Sequence, residues 1–174
     1  MKFCLWMLFL INFLFFKTTA SFAESGYVLP YPPQMPGSFM YKLRLASEEI
    51  QKYWYFGDFG QFTYSLKQAD KYLVEAKTLF EYKQYLLGIQ ALKKSDTYFT
   101  NTFSWMIKAK KKHKDIVQKQ KVLKSATLKH IELLNQLKLN VPETFVWRPE
   151  KLSPTVLNLK KAIDESIPVR NKYL

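Results

Sequence analysis

Cysteine is all but missing from this chain. The only one among 174 residues, Cys4, lies inside an apolar N-terminal run, so the remainder has no thiol for a disulfide, a nucleophile or a metal. Histidine is scarce too, at His113 and His130, and neither His-Glu-x-x-His nor Cys-x-x-Cys spacing occurs. The glycines, Gly26, Gly37, Gly57, Gly60 and Gly88, are too scattered to form a phosphate-cradling loop. Adjacent carboxylates Glu48-Glu49 and Asp164-Glu165 would point about 100° apart on a helix, so neither pair converges on one site. The expectation is a non-enzymatic chain with no cofactor and no metal. Acidic residues are also the minority, 14 against 27 lysines and arginines, a formal net charge of +13.

The N-terminus is a different kind of sequence. Met1-Lys2 precedes a nearly unbroken apolar run, Phe3 to Phe16, and Ser21-Phe22-Ala23 fits the small-x-small rule for signal peptidase. The run falls short of the roughly 18 to 20 residues that span a bilayer. It reads as a signal peptide over 1–23, cleaved after Ala23, which makes the protein secreted or extracytoplasmic. An uncleaved anchor flanked by Lys17 is the other reading. Cys4 sits within the run and not at its end, which argues against a lipoprotein anchor. Residues 24–37 hold Pro30, Pro32, Pro33 and Pro36 and predict an extended arm.

Residues 38–170 then read as a single helical domain. Ser38 is a candidate N-cap for a helix from Phe39 to about Tyr55, with Phe39, Leu43, Ala46, Ile50 and Tyr53 on its core face and Glu48, Glu49 and Lys52 on the other. Asp58 and Gln61 resemble a capping box for a second helix. That helix carries Phe62, Leu66, Ala69, Leu73, Ala76 and Phe80 in one stripe, leaving Lys67, Lys71, Glu75 and Lys77 for solvent. A short connection leads to a third helix with Ile89, Leu92, Phe99, Phe103 and Met106, so these two form an antiparallel hairpin. Neither glycine nor proline occurs from Ile89 to Val141, but the stripe fails around Lys110 to Lys114 and Asp115 with Gln118 repeats the capping pattern, so a break or bend is expected there; one long, gently curving helix is the other reading. Ile116, Leu123, Ala126, Leu133, Leu134 and Leu137 define a fourth face. Ser153-Pro154 predicts the start of a last helix, with Leu152, Val156, Leu159, Ile163 and Ile167 along one side and Pro168 as its stop. No stretch alternates with period two. The fold class is all-α, an elongated antiparallel bundle of four or five helices built from hairpins behind the arm.

The order of features resembles an exported bacterial family, domain of unknown function 5667. The likeness is carried by Leu29-Pro30-Tyr31-Pro32, by Pro36-Gly37-Ser38-Phe39-Met40-Tyr41-Lys42-Leu43, and by Leu66-Lys67-Gln68-Ala69-Asp70-Lys71-Tyr72-Leu73-Val74-Glu75-Ala76. It covers about Tyr27 to Met106, with a looser echo in Leu128 to Leu134. Asp58-Phe59 and Tyr82-Lys83-Gln84-Tyr85 depart from that family's Asp-Pro and Gly-Lys-Tyr patterns. The resemblance implies helical hairpins in the cell envelope and brings no activity or functional residue with it.

Two stretches carry chemistry. Lys108, Lys110, Lys111, Lys112, Lys114, Lys119, Lys121 and Lys124 form a candidate anion-binding face for an anionic envelope polymer or a membrane surface. The bland reading is a solvated helix face in a lysine-rich protein. Nucleic acid is the less natural partner for an exported chain. Trp54, Tyr55, Phe56 and Phe59, beside Tyr53 and Phe62, form a candidate aromatic patch for an unknown envelope protein, or else they close the end of the bundle. His130, on or beside an apolar face, reads as structural, not as a catalytic base.

Overall fold

The computed structural model describes residues 26–32 and 34–173; the expected signal peptide, residues 1–23, and residues 24, 25 and 33 of the expected arm lie outside the described residues. Five helices and one small hairpin follow the arm. Helix α1 is Phe39–Gln51 and runs into a 3-10 turn, Lys52–Trp54; α2 is Gly57–Glu81, α3 is Tyr85–Lys111 and α4 is Val117–Asn140. Strands β1, Thr144–Trp147, and β2, Thr155–Asn158, pair antiparallel, and α5 is Leu159–Asn171. Mostly helical, with packed helix pairs, the chain is an all-α bundle.

The α2–α3 hairpin is the frame. Phe62, Leu66, Ala69, Leu73, Ala76 and Phe80 are all buried, and from α3 they meet Leu92, Phe99 and Met106. The chain reverses through Tyr82, Lys83 and Gln84, where Gln84 N–H donates to Leu79 C=O and Lys83 N–H to Phe80 C=O. This pair of bonds satisfies two carbonyls that the helix end would otherwise leave open. Lys83 adopts φ +60° to make them. The end of α3 repeats the device: Lys114 N–H reaches Ala109 C=O, His113 N–H reaches Lys110 C=O, and His113 has φ +56°. The break expected around Lys110 to Lys114 is therefore a true helix end. After it, Ile116, just before α4, and Leu123, Ala126, Leu133, Leu134 and Leu137 of α4 are buried in the same core as the hairpin.

The core has two apolar halves. One joins Leu73, Leu79 and Phe80 of α2 to Leu92, Leu134, Leu137, Leu159 and Ile163. The other joins Phe62, Leu66 and Ala69 to Phe99, Met106, Leu123 and Ala126.

Four expectations need correction. In α1 the stripe Phe39, Leu43, Ala46, Ile50 and Tyr53 faces solvent, and Glu48 is buried instead. On α2, Glu75 is buried and Lys71 half-buried, not solvated, because they receive the charged side of α1. Asp58 and Gln61 do not form a capping box: Gln61 donates to the carbonyls of Lys52 and Tyr55, and Asp58 is taken by two lysines. The last helix begins at Leu159, not at Ser153-Pro154, because Thr155 to Asn158 pair with β1. Leu152 and Val156 are exposed accordingly, and α5 runs past Pro168 to Asn171. β-Branched Thr144, Val146, Thr155 and Val156 suit the pairing. Pro168 lies near the end of its helix, where its missing N–H costs one hydrogen bond.

Candidate functional site

Three places gather chemistry: a polar layer inside the bundle, the outer face of α1, and the end of the molecule where α3 turns into α4.

The polar layer lies between the two apolar halves. Asp70 of α2 replaces a core side chain between Ala69 and Leu73. Its Oδ1 lies 2.7 Å from His130 Nε2 and its Oδ2 accepts from the Tyr27 hydroxyl at 2.6 Å. Arg170 of α5, fully buried, donates from Nε to His130 Nδ1 at 3.2 Å, from Nη1 to Asp96 at 2.5 Å and from Nη2 to Ser95 Oγ at 2.9 Å. Ser166 donates to Asp96, and Ser95 to Ala69 C=O at 2.8 Å. Because Nδ1 accepts from an arginine, which has no acceptor to offer, His130 carries its proton on Nε2 and donates it to Asp70. Burial above all, and the charge of Arg170, hold the imidazole below its usual pKa of 6.5 and keep it neutral. The same burial, with Asp70 beside it, raises the Tyr27 hydroxyl far above the ordinary tyrosine range.

Both nitrogens of His130 are engaged and its ring has no exposure, so no substrate can approach it. This Asp–His–Arg chain ties the arm, α2, α3, α4 and α5 together at one level. Of its members, the sequence singled out only His130. The missed signal was charge at core spacing: Asp70 stands four after Leu66 and three before Leu73, and Arg170 seven after Ile163.

Helix α1 is turned inside out. Arg44 Nη2 reaches Glu75 at 2.8 Å, Tyr41 hydroxyl donates to Glu75 at 3.3 Å, and Lys71 pairs with Glu48. Tyr64, whose hydroxyl is pushed up mainly by burial, donates to the backbone of Glu48 at 3.0 Å. These groups occupy the inward side. On the outward side Phe39 is 71% exposed, Leu43 50%, Ile50 58% and Tyr53 70%.

The lysines do not form one helix face. Lys108, Lys110 and Lys111 end α3, Lys112 and Lys114 lie in the turn, and Lys119, Lys121 and Lys124 belong to α4. Lys112 and Lys114 both bind the buried carboxylate of Asp58, at 2.9 and 3.0 Å. Their hydrogen bonds, Lys112 foremost, hold Asp58 below the usual carboxylate range. Lys108 lies 3.9 Å over the Trp105 ring, and Lys114 and Lys119 lie near Phe59. Among the described residues, Lys110, Lys111, Lys121 and Lys124 make no ion pair. Asp58 thereby brings the lysine turn and part of the aromatic turn to the same end of the molecule. Trp54 and Phe56 are exposed at 70% and 83%, Phe59 is half-buried, and Tyr55 packs on Tyr64 with ring centroids 5.4 Å apart. Gly60 permits this turn, because a Cβ there would sit 2.7 Å from the backbone of Tyr55.

An open cleft of about 480 Å³ lies between Tyr27 to Pro30 and the Phe62–Asp70 side of α2. Among the described residues no group of three potential ligand side chains gathers to hold a metal, and no helix is long and apolar enough to cross a membrane. The described residues define a small helical bundle with a polar layer inside it, one apolar helix face outside it and a basic, aromatic end. No protein-family model, curated protein or solved structure matches the chain.

Proposed function

We propose that the chain is a non-enzymatic, exported helical module of the bacterial cell envelope that presents α1 to a protein partner. One observation carries the reading: the apolar stripe from Phe39 to Tyr53 points outward while the charged side of the same helix is fixed to α2. A helix that spends its charges inward and leaves its apolar side in water has its free energy still to gain by burial. What supports export is the basic start and apolar run of residues 1–23, and what supports the envelope setting is the motif likeness over Tyr27 to Met106.

A second reading is salt-dependent binding of an anionic envelope polymer or lipid headgroups through the Lys108–Lys124 region. It is favoured by the gathering of Lys114 and Lys119 near Phe59, beside Lys112 on Asp58, and weakened because Asp58 already occupies Lys112 and Lys114.

A photoreactive side chain at Ile50, activated in the native envelope, tests both. The expected product is a protein adduct that persists in about 1 M salt, where the screening length is only about 3 Å, and disappears with Leu43→Asp. Labelling at Ile50 no stronger than from exposed Thr100 would overturn the first reading. Envelope binding that is abolished by salt and by Lys110→Glu with Lys111→Glu, but indifferent to Leu43→Asp, would replace it with the second.

A further inference from the structure

We infer that the partner of α1 is a second copy of the same chain, joined through an antiparallel pairing of the two α1 helices about a two-fold axis at Ala46. The inference rests on α1 being a docking face and goes on to name what docks.

Periodicity supplies the first argument. Phe39, Leu43, Ala46 and Ile50 of α1, continued by Tyr53 in the 3-10 turn, follow one another at steps of four, three, four and three, the seam spacing of helices that pack along their length. The smallest member is in the middle, with Leu43 and Ile50 next to it and Phe39 and Tyr53 outermost. Rotation by 180° about an axis at Ala46 therefore sets Phe39 against Tyr53 of the second copy and Leu43 against Ile50. Alanine meets alanine at the centre, where the backbones come nearest. A surface that is its own complement in this way is what a two-fold interface requires.

Charge supplies the second argument. Lys42 and Glu49 are exposed, and among the described residues neither makes an ion pair. Seven residues apart, they stand on the same border of the stripe. The same rotation places Lys42 of each copy beside Glu49 of the other, two opposite-charge contacts from a single symmetry operation. An anionic bilayer would gain nothing from Glu49 on that border. The inward side of α1 is already covered by α2, so the second copy adds to the outside without displacing anything.

The test uses the full chain in intact cells. In a Cys4→Ser background, Ala46→Cys should form a disulfide-linked dimer on mild oxidation, at a yield at least tenfold above that of Thr100→Cys, an exposed control on α3. Lys42→Glu should reduce the yield several-fold, and Lys42→Glu combined with Glu49→Lys should restore it. Equal yields from Ala46→Cys and Thr100→Cys would overturn the proposal, as would failure of the double exchange to restore the dimer. If Ile50 still labels a different protein in that case, the docking-face reading survives and only its self-pairing falls. If Ile50 labels nothing above the control, both fall.

Discussion

Two residues hold backbone conformations that their side chains disfavour, and both end helices. Lys83 at φ +60° and His113 at φ +56° stand where glycine is the usual choice, because a left-handed residue with a Cβ costs about 1–2 kcal/mol. Glycine recovers that strain and gives back part of it as greater freedom in the unfolded chain. Lys83→Gly and His113→Gly should therefore each raise stability by about 0.5–1 kcal/mol, and His113→Val should lower it, as read from urea unfolding. The same residues explain a limit of sequence reading. With no glycine between Ile89 and Val141, the end of α3 announced itself through the failure of the apolar stripe near Lys110 and through Asp115, which accepts from Val117 N–H at 2.9 Å as the next helix starts. The left-handed residue itself, a histidine in place of glycine, gave no signal.

Among the elements, α1 is joined to the bundle by charge where the others are joined by apolar packing. Glu75, 1% exposed, receives Arg44 and Tyr41, and Lys71 holds Glu48 from the other side. Glu75→Gln keeps the shape and removes the charge that Arg44 needs. It should accelerate amide hydrogen exchange over residues 41–51 by at least tenfold, equivalent to about 1.4 kcal/mol, while α2 and α3 keep their protection. Period revealed α1 as amphipathic and could not say which side faces inward. The apolar stripe was legible, but Arg44, Glu48, Lys71 and Glu75 are individually ordinary surface residues, and only their meeting across two helices reverses the orientation. The stripe of α2, the hairpin with α3 and the buried face of α4 were legible because apolar packing is written into one helix at a time. The hairpin of β1 and β2 was not, since its four-residue strands are largely exposed on both faces and show no alternation. Of the two candidate sites, four successive aromatics cannot all face one core, so the exposure of Trp54 or Tyr55 was legible, though not that it is Trp54; the capture of Lys112 and Lys114 by Asp58 spans more than fifty positions and left no local trace.

For the molecule as a whole, the polar layer links five parts of the chain and makes stability depend on pH. His130 is held neutral, with its pKa below the unfolded value of 6.5, by burial first and by Arg170 second. Above about pH 6.5 neither state binds the proton and the contribution is complete; as pH falls below 6.5 the unfolded chain takes up the proton first, and stability is lost at up to about 1.4 kcal/mol per pH unit. Unfolding by urea at pH 7.5, 6.5, 5.5 and 5.0 should show this decline. His130→Gln keeps a donor for Asp70 and an acceptor for Arg170 without a titrating group, so its stability should be lower at pH 7.5 but nearly level across the same range. A wild-type chain whose stability is unchanged between pH 7.5 and 5.0 would contradict the buried, neutral assignment.

The layer also imposes an order on assembly. A chain is made from its N-terminus, and of the layer's ionisable groups Asp70, Asp96 and the neutral His130 all emerge before Arg170. Until Arg170 arrives, the two aspartates have no buried cation to meet and remain better off hydrated. The α2–α3 hairpin can close its apolar halves early, yet the seam between them stays wet and separable. An unfinished chain is thereby kept pliable, and the bundle latches when the arginine seats.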